Sequence, residues 1–449
     1  MKKKNSVDIL TGPIWRQLLL FFFPIMLGTL LQQIYNTADT MIVGNFVGKE
    51  ALAAVGGSPF YMMNIFISFS IGLSSGCSVI IAQYFGARKH KPLSQAIHTS
   101  LAVSAILGLI ISVSMFFLGK SILTLMRVPD DAFAYSLRYL RIVSWGFVFT
   151  MIYNMCTAVF RAIGDSRTPL YFLVVCAILN VGLNVLFVVG LRLDVAGVAI
   201  ATVISQFVCA VLSLGTLVLS RDVWKVRITA IRIHPLMLPK LLRIAIPRAL
   251  QSTSFSLANV ILQSSFNLLG TPAVAGWAVD RKIEQVFPMI VGSFGVAVTV
   301  FTAQNYGAKK IDRVKKGLRV CLQINVALTT LISLFTYFVG PKLCRYFTND
   351  AEVLGNAALM IRFLSPFYLS YIFYELMAGF LYGIGISLAP MLMTGFGIGI
   401  FRLIWVWLVI GNRPDIYKII GCYPASWGLT SLLFLCYYWT SKRKKERIG

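Results

Sequence analysis

The sequence contains little charge and very few acids. Of its 449 residues only 13% are charged, and Lys and Arg outnumber Asp and Glu by 41 to 16. Soluble globular domains have about a quarter of their residues charged. Because 57% of the chain is hydrophobic, the composition excludes a cytosolic enzyme, a disordered chain and a secreted disulfide scaffold. It predicts a membrane protein.

Motifs for metal, redox or covalent chemistry are also missing. The eight cysteines are scattered, and neither a CxxC pair nor a Cys/His cluster occurs. No pair of a nucleophilic side chain and a general base is found at helical spacing. The sequence therefore predicts a non-enzyme without a cofactor or a structural metal site. The net charge of +25 would suggest nucleic acid in a soluble protein. Here the basic residues are dispersed among apolar runs, so we expect contact with membrane lipid and none with nucleic acid.

Polar breaks divide the chain into twelve apolar runs, each long enough for a membrane-spanning helix of about 20 residues. The predicted spans are 15–43, 52–85, 94–119, 136–160, 169–190, 194–219, 241–269, 272–305, 312–340, 357–381, 388–410 and 421–441. With both termini on one side, the loops of that side carry 25 Lys and Arg and the opposite loops carry 8. The positive-inside rule then predicts a plasma-membrane protein with both termini cytoplasmic.

The chain contains an internal duplication. AQYFGARK (Ala82–Lys89) returns as AQNYGAKK (Ala303–Lys310), and RAIGDSRTP (Arg161–Pro169) returns as YGIGISLAP (Tyr382–Pro390), both at an offset of 221. An even number of spans in each copy gives both copies one orientation, as in parallel transporter repeats. Near the start of each half the offset is 223, which pairs residues 24 and 36 with residues 247 and 259.

We therefore predict an all-α polytopic membrane protein of twelve transmembrane helices in two six-helix lobes related by pseudo-two-fold symmetry. The lobes are residues 1–219 and 241–449, and residues 220–240 form a cytoplasmic linker. Two such bundles would face one another across a cleft in mid-membrane. This organisation favours a transporter, although a fold does not by itself determine a function.

Asp39 is the strongest candidate for ion chemistry. Gln32, Tyr35, Asn36 and Asp39 fall on one face of the first span, at about 100° per residue. An acid at bilayer depth is costly unless it serves a polar site. A carboxylate among such polar groups can bind a cation or hold a proton, whereas an Asp near a helix end could also be a simple cap.

Further polar side chains follow on spans five and six. Asn180 and Asn184 stand one turn apart, and Thr202 and Gln206 share a face. These groups could bind a cation or a substrate, or they could be ordinary interhelical hydrogen-bonding partners.

The second half repeats the polar stripe but not the acid. Asn259 and Gln263 recur on span seven, and the position that matches Asp39 is Leu262. We therefore expect asymmetric cation coupling, confined to the first lobe.

Span eight instead carries Asp280, Arg281 and Glu284. This cluster is either a substrate-binding or second proton site, or an internally paired group that lines a wet cleft. A fourth acid, Glu375 on span ten, is expected to extend to the interface.

Several motifs together resemble the multidrug and toxic compound extrusion (MATE) family of efflux transporters. They are YNTADTMIVGNFVG (Tyr35–Gly48), ALAAVG (Ala51–Gly56), FRAIGDSRTP (Phe160–Pro169) and VAGVAIATVISQ (Val195–Gln206). The resemblance implies two six-helix lobes in a V shape. It also implies antiport, in which a small organic substrate, here expected to be cationic, leaves as H⁺ or Na⁺ enters.

The resemblance further implies a first-lobe cation site that combines Asp39 with Tyr35, Asn180, Asn184 and Thr202. Members with a Na⁺ site commonly have Asp at the position of Asn184. Without that negative charge the site should bind a hard cation such as Na⁺ more weakly, which favours H⁺ as the coupling ion. Coupling to Na⁺ held by the oxygens of residues 39, 180, 184 and 202 is the alternative.

Pro24 and its repeat Pro247 lie inside spans and are candidate hinges, because a proline removes a helix hydrogen bond and permits a bend. The resemblance to the family implies that bending at Pro24 is coupled to the protonation or ion-binding state of Asp39. The alternative is a static kink that does not change during transport.

A lipid-linked precursor flippase of the same superfamily is the alternative function. It would need several buried arginines, and only Arg248, Arg281 and Arg402 come near mid-span. A monomer is expected, since twelve spans can close around their own cleft.

Overall fold

The computed structural model describes residues 7–48, 51, 55, 58–126, 128–411 and 414–448, with side chains up to residue 440. Within these ranges the chain is helical and contains no strand. The basic residues Lys2–Lys4, Lys49, Arg127 and Arg413, and most of the motif Ala51–Gly56, lie outside the described residues.

Twelve helical spans follow the predicted order. In the first half, α1 is Ile14–Phe46, α2 is Ser58–Gly86, α3 is His90–Leu125, α4 is Asp130–Ala162, α5 is Arg167–Asn184 with a π-helical extension Val185–Gly190, and α6 is Asp194–Leu219.

The second half contains six further spans, several of them interrupted. Here α7 is Leu238–Asn267, α8 is Thr271–Glu284 with Val286–Gly307, α9 is Ile311–Leu343, α10 is Ala351–Leu364 with Tyr368–Gly383, α11 is Leu388–Ile410 with two π-helical stretches, and α12 is Ile416–Ile448.

Eleven spans in the described part of the chain are long and apolar enough to cross a membrane. The remaining helix, α7, is 30 residues long, so its length is sufficient. Its composition differs because the segment Gln251–Gln263 carries a polar stripe and Lys240, Arg243 and Arg248 precede it. A helix with such a stripe is stable at membrane depth when the stripe faces protein or water.

The internal duplication is visible in the backbone. Arg88 and Lys309, 221 residues apart, have positive φ angles of 54° and 59°, and Gly164 and Gly385 both have φ of 89°. The π-helical stretch Val185–Gly190 of α5 has its counterpart in Val406–Ile410 of α11. The repeat therefore preserves the special turns as well as the sequence motifs.

The chain divides into two compact units. The first is Met1–Thr11, Leu20–Ala249 and Gly307–Lys309, and it contains most of α1 to α6. Val43, Val188, Val195 and Val198 form an apolar cluster in it, where α1, α5 and α6 meet.

The second unit is Gly12–Leu19, Leu250–Tyr306 and Lys310–Gly449. It has an apolar cluster of its own, formed by Val279, Cys344, Ala357 and Ile361 where α8, the 3₁₀ turn after α9, and α10 meet.

The segment after α6 packs on the first unit through α2 and α3. The amide of Arg227 donates to His98 Nε2 at 3.0 Å, and the amide of His234 donates to Thr99 Oγ1 at 3.2 Å. The ring of Trp224 lies 5.9 Å from the ring of Phe85 in an edge-on contact. These contacts hold the basic segment after α6 against α2 and α3. The segment is extended apart from one 3₁₀ turn at Ile228–Ala230.

Close helix packing in the second unit depends on two glycines of α10. A Cβ atom at Gly379 would lie 2.8 Å from the carbonyl oxygen of Gly295, and one at Gly383 would lie 2.6 Å from Thr302 Cβ. Glycines four residues apart allow two membrane helices to approach at backbone distance. The contact between α8 and α10 therefore tolerates no larger residue at these positions.

We predict that Gly383→Val lowers the melting temperature of the purified protein, because overpacking of this kind costs about 1–3 kcal/mol. The control is Gly355→Val in the first segment of α10, where an added Cβ meets nothing within 4 Å. Intrinsic fluorescence on heating in detergent measures both variants. Equal melting temperatures for the two variants would contradict the assigned packing.

Candidate functional site

Asp39 lies inside the first unit and is held by α5. It is 9% exposed, and its Oδ1 accepts a hydrogen bond from Asn184 Nδ2 at 2.5 Å. The same amide nitrogen lies 3.2 Å from Asn180 Oδ1. Asn180 and Asn184 are themselves 3% and 0% exposed. The structure therefore brings together the acid of α1 and both asparagines of α5 in one buried cluster.

The hydrogen bonds of the cluster orient the Asn184 amide. When Asp39 is ionised its carboxylate only accepts hydrogen bonds, and the NH₂ group of the amide faces it. Its carbonyl oxygen, Oδ1, is buried and has no hydrogen-bond donor among the described residues. A buried oxygen of this kind usually has a partner, and here it lies beside a carboxylate, as the ligand of a small cation would.

Charge compensation for Asp39 does not come from a side chain. Across the described part of the chain, no Lys, Arg or His forms an ion pair with this acid. An ionised carboxyl group in an apolar interior costs several kcal/mol, of the order found for unpaired buried charges. Asp39 is therefore stable only as the neutral acid or with a cation beside it.

The end of α5 is locally widened at this cluster. Asn184 is the last α-helical residue, and Val185–Gly190 continues as a π-helix. Short π-helical segments, in which hydrogen bonds join residues five apart, often occur at functional sites. The polar spacing in the sequence predicts the two asparagines, but nothing in it indicates the change of helix type.

The other predicted first-lobe residues lie around the cluster without bonding to the acid. Tyr35 is half-buried, and its hydroxyl lies near the side chain of Gln32, which is exposed. Asn36 is half-buried, and the hydroxyl of Thr202 donates to the Val198 carbonyl of its own helix at 2.9 Å. In the described structure neither of these last two side chains donates to Asp39.

Two more side chains complete this region. Tyr139 of α4 packs with Tyr135 against the apolar cluster of this unit, near Asp39 and Tyr35; the sequence patterns did not single it out because aromatic residues at this spacing are typical of a packed helix face. Gln206, predicted to face the substrate, has a buried side-chain oxygen with no donor among the residues that are described.

The acids of α8 form a second buried cluster, in the second unit. Arg281 Nη1 donates to Glu284 Oε2 at 3.2 Å, as the spacing of three residues predicts. The Arg281 side chain is 43% exposed and that of Glu284 only 4%. Asp280 is 0% exposed, and neither of its carboxyl oxygens has a hydrogen-bond partner in the described part of the chain.

The polar stripe of α7 bonds to other helices of the second unit. Gln263 Oε1 accepts from Trp277 Nε1 at 3.1 Å. Asn259 Oδ1 accepts from Arg402 Nη1 of α11 at 2.9 Å. Arg402 was not predicted as a site residue, although an arginine inside an apolar run is a signal for a functional group.

The candidate hinge prolines lie inside continuous helices. Pro24 is within α1 and Pro247 is within α7, and neither helix is interrupted at its proline. They stand at matching places in the two copies of the repeat.

Comparison with known proteins gives the family. The family model MatE matches twice, at residues 24–186 and 247–408, so each copy of the repeat carries one match. A probable multidrug resistance protein of Bacillus subtilis, YoeA, is 28% identical over 441 residues, which cover 96% of this chain and 95% of that protein. An FAD transporter of Shewanella oneidensis is 26% identical over 78% of each chain.

A solved structure shows the same fold. The outward-facing conformation of a multidrug resistance MATE family transporter of the MOP superfamily superimposes with a TM-score of 0.88 at 23% identity, over 99% of this chain and 98% of the other. At this identity the match concerns the fold alone. With two family matches that together span most of the sequence, the chain belongs to the MatE family, the multidrug and toxic compound extrusion transporters.

Proposed function

We propose that this transporter exports small organic compounds, mainly cations, by antiport against H⁺ or Na⁺, and that Asp39 carries the coupling ion. One observation supports this most strongly. Asp39 is buried, accepts a hydrogen bond from Asn184 and has no basic side chain beside it within the described structure. An acid that needs a cation to be stable can bind one from one side of the membrane and release it to the other.

The ion site that we propose consists of Asp39, Asn180 and Asn184, with Tyr35, Asn36 and Thr202 around them. The contacts of Asn184 support it, because its amide joins the acid to Asn180 while its own carbonyl oxygen stays open to a ligand. H⁺ needs only the carboxyl group. Na⁺ needs several oxygens, and the cluster contributes just one formal negative charge. The single charge favours H⁺, and Na⁺ stays the alternative.

Polar side chains of both units are proposed to contact the substrate. They are Gln32 and Gln206 in the first unit, and Asn259, Gln263, Asp280, Arg281 and Glu284 in the second. The acids would attract a cationic substrate. The Shewanella relative carries an anionic nucleotide by its name, so the charge preference needs its own measurement.

Alternating access needs a part that bends, and we propose Pro24 and Pro247 for it. Each proline lies in a helix that carries a polar stripe further along. A proline leaves one carbonyl of the preceding turn without its helix partner. A change of charge at Asp39, fifteen residues further along the same helix, could then alter the bend at low cost.

Further parts of the proposal follow from the sequence. The transporter lies in the plasma membrane as a monomer surrounded by lipid, with both termini cytoplasmic. Its lobes are residues 1–219 and 241–449, joined by the linker 220–240. Drug-resistance names among the relatives favour efflux over the flippase alternative.

We predict that Asp39→Asn abolishes gradient-driven export, because the amide cannot exchange a cation. The measurement is uptake of the fluorescent organic cation ethidium into inside-out vesicles, with pH and sodium gradients imposed separately. Asp131→Asn is the matched control, since Asp131 is exposed at the start of α4. Unchanged transport by the Asp39 variant, with the same response to both gradients, would refute the role of this acid.

We also predict that Asn184→Asp increases the response of transport to Na⁺. The second carboxylate would give the oxygen cluster the charge that a hard cation prefers. The measurement compares ethidium transport under a sodium gradient alone with transport under a pH gradient alone, before and after the change. A sodium response equal to that of the unaltered protein would contradict the proposed ligand set.

The charge preference for substrates is measured in the same vesicles. Transport of a flavin dinucleotide would show that the protein also carries an anion.

A third prediction concerns stability. At pH 8 the ionised Asp39 lacks a basic partner, so Asp39→Asn should raise the melting temperature, and the difference should shrink at pH 5 because protonation removes the charge in the unaltered protein. About 1 kcal/mol corresponds to roughly 2–4 °C for a unit of this size. Asp131→Asn should show no such pH-dependent difference. A variant that is less stable at both pH values would contradict an uncompensated acid.

A further inference from the structure

The chain between α6 and α7 carries basic side chains on its surface. This connecting segment, residues 220–237, runs from the end of α6 at Leu219 to the start of α7 at Leu238. Its one acid is Asp222. Its basic residues are all exposed, and they are Arg221, Lys225, Arg227 and Arg232. In the described part of the chain none of these four side chains forms an ion pair, so their charges are available to a partner.

Large apolar side chains are exposed between the basic ones. Ile228 follows Arg227 directly and is 65% exposed, and Leu236, two residues before α7, is 85% exposed. Val223 and Ile233 are exposed as well. Single exposed apolar residues need no explanation. Here four of them alternate with basic residues in one short segment, which is typical of a surface that lies in the interface of a lipid bilayer.

The fold holds the connecting segment through groups other than its basic side chains. The side chain of Val226 is buried, and its amide donates to the Leu217 carbonyl oxygen at 3.0 Å. The amide of Arg227 donates to Nε2 of His98.

The ring of His98 is oriented for this bond. Its Nδ1 lies 2.7 Å from the Ser94 carbonyl oxygen. Nδ1 therefore carries the ring proton and Nε2 is free to accept. Because a backbone amide and a buried ring make the contact, the guanidinium of Arg227 stays outside. The basic surface is thus ordered in advance, and a ligand would bind it at a small cost in conformational entropy.

The position of the connecting segment limits what it can meet. It is joined at both ends to membrane helices, so it stays at the surface of the bilayer. The proposed topology places it on the cytoplasmic side, where the leaflet contains anionic lipid and attracts basic segments. A phosphatidylcholine headgroup has no net charge, whereas phosphatidylglycerol carries one negative charge.

We propose that the connecting segment is a docking surface for anionic phospholipid. The four basic side chains bond to the phosphate groups of the lipid headgroups. The apolar side chains beside them, Ile228 and Leu236 above all, enter the boundary between headgroups and acyl chains. This inference takes the side of the membrane from the proposed function and does not depend on the ion site at Asp39.

The test is binding of fluorescent phosphatidylglycerol to the purified full-length protein in detergent. The quadruple variant Arg221→Gln, Lys225→Gln, Arg227→Gln and Arg232→Gln should bind it about tenfold more weakly, or worse, because each basic group at a membrane surface adds to the attraction. The matched control neutralises four exposed basic residues that the sequence assigns to the opposite side, namely Lys120, Arg192, Lys342 and Arg345. It should bind as the unaltered protein does. Equal affinity of the two quadruple variants would overturn the proposal.

Two further measurements separate a lipid surface from a simple anion site. Inorganic phosphate should not displace the lipid at millimolar concentration, and Ile228→Ser with Leu236→Ser should weaken lipid binding although every charge is kept. Displacement by phosphate, or unchanged binding by the serine variant, would contradict a lipid surface. Equal binding of phosphatidylcholine and phosphatidylglycerol would contradict the role of the basic residues.

Single substitutions keep the proposal testable if the quadruple variant folds poorly. Arg221→Gln and Arg232→Gln, each alone, should weaken binding of phosphatidylglycerol by a smaller factor, and Lys120→Gln should not. Equal affinities for all three would overturn the proposal.

The lipid surface and the transport mechanism fail separately. Asp39→Asn should bind phosphatidylglycerol like the unaltered protein, whatever it does to transport. Loss of lipid binding in that variant would contradict the assignment to the connecting segment.

Discussion

A carboxyl group in an apolar interior without a basic partner is the feature on which the proposed transport cycle depends. Asp39 is buried and accepts a hydrogen bond from Asn184, whose amide also donates to Asn180. Amide groups stabilise the charge only in part, since they offer dipoles where an ion pair would offer a full opposite charge. In the proposed function, the missing positive charge comes from solution. A site that is incomplete without an ion from solution can couple the state of the protein to the gradient of that ion.

The two halves of the duplication meet this constraint in different ways. In the first unit Asp39 has no basic side chain beside it in the described structure, whereas in the second unit Glu284 pairs with Arg281 and the buried Arg402 bonds to Asn259. Backbone features common to both halves, such as the paired positive φ angles and π-helical stretches, show that the scaffold is shared. The difference therefore lies in a few side chains on helices that otherwise repeat, which is how one fold acquires two electrostatic roles.

The sequence was sufficient to predict most of the fold. Apolar runs of span length and the 221-residue offset predicted twelve helices in two copies, because membrane-spanning helices must satisfy their backbone internally and so appear as long uninterrupted segments. Asp39, Asn180 and Asn184 were predicted from polar residues at helical spacing, and the structure brings them into contact. The assignment of their roles depends on chemistry and remains a proposal.

Other parts could not be predicted from the sequence. The π-helical end of α5 has no sequence signature. The contact of Arg402 with Asn259 joins residues 143 apart on two helices, and periodicity reports only which residues share a face of one helix. The contact of Arg227 with His98 likewise joins the segment after α6 to α3 through a backbone amide, and composition does not indicate where a backbone amide will bond.

Infrared difference spectroscopy of the protein in lipid bilayers tests the central claim most directly. Spectra would be compared as the pH is raised, with and without Na⁺, for the unaltered protein and for Asp39→Asn. The account predicts one carboxyl group that loses its proton, or changes its carboxylate band when Na⁺ binds, in the unaltered protein and not in the variant. Identical difference spectra for the two proteins would contradict it.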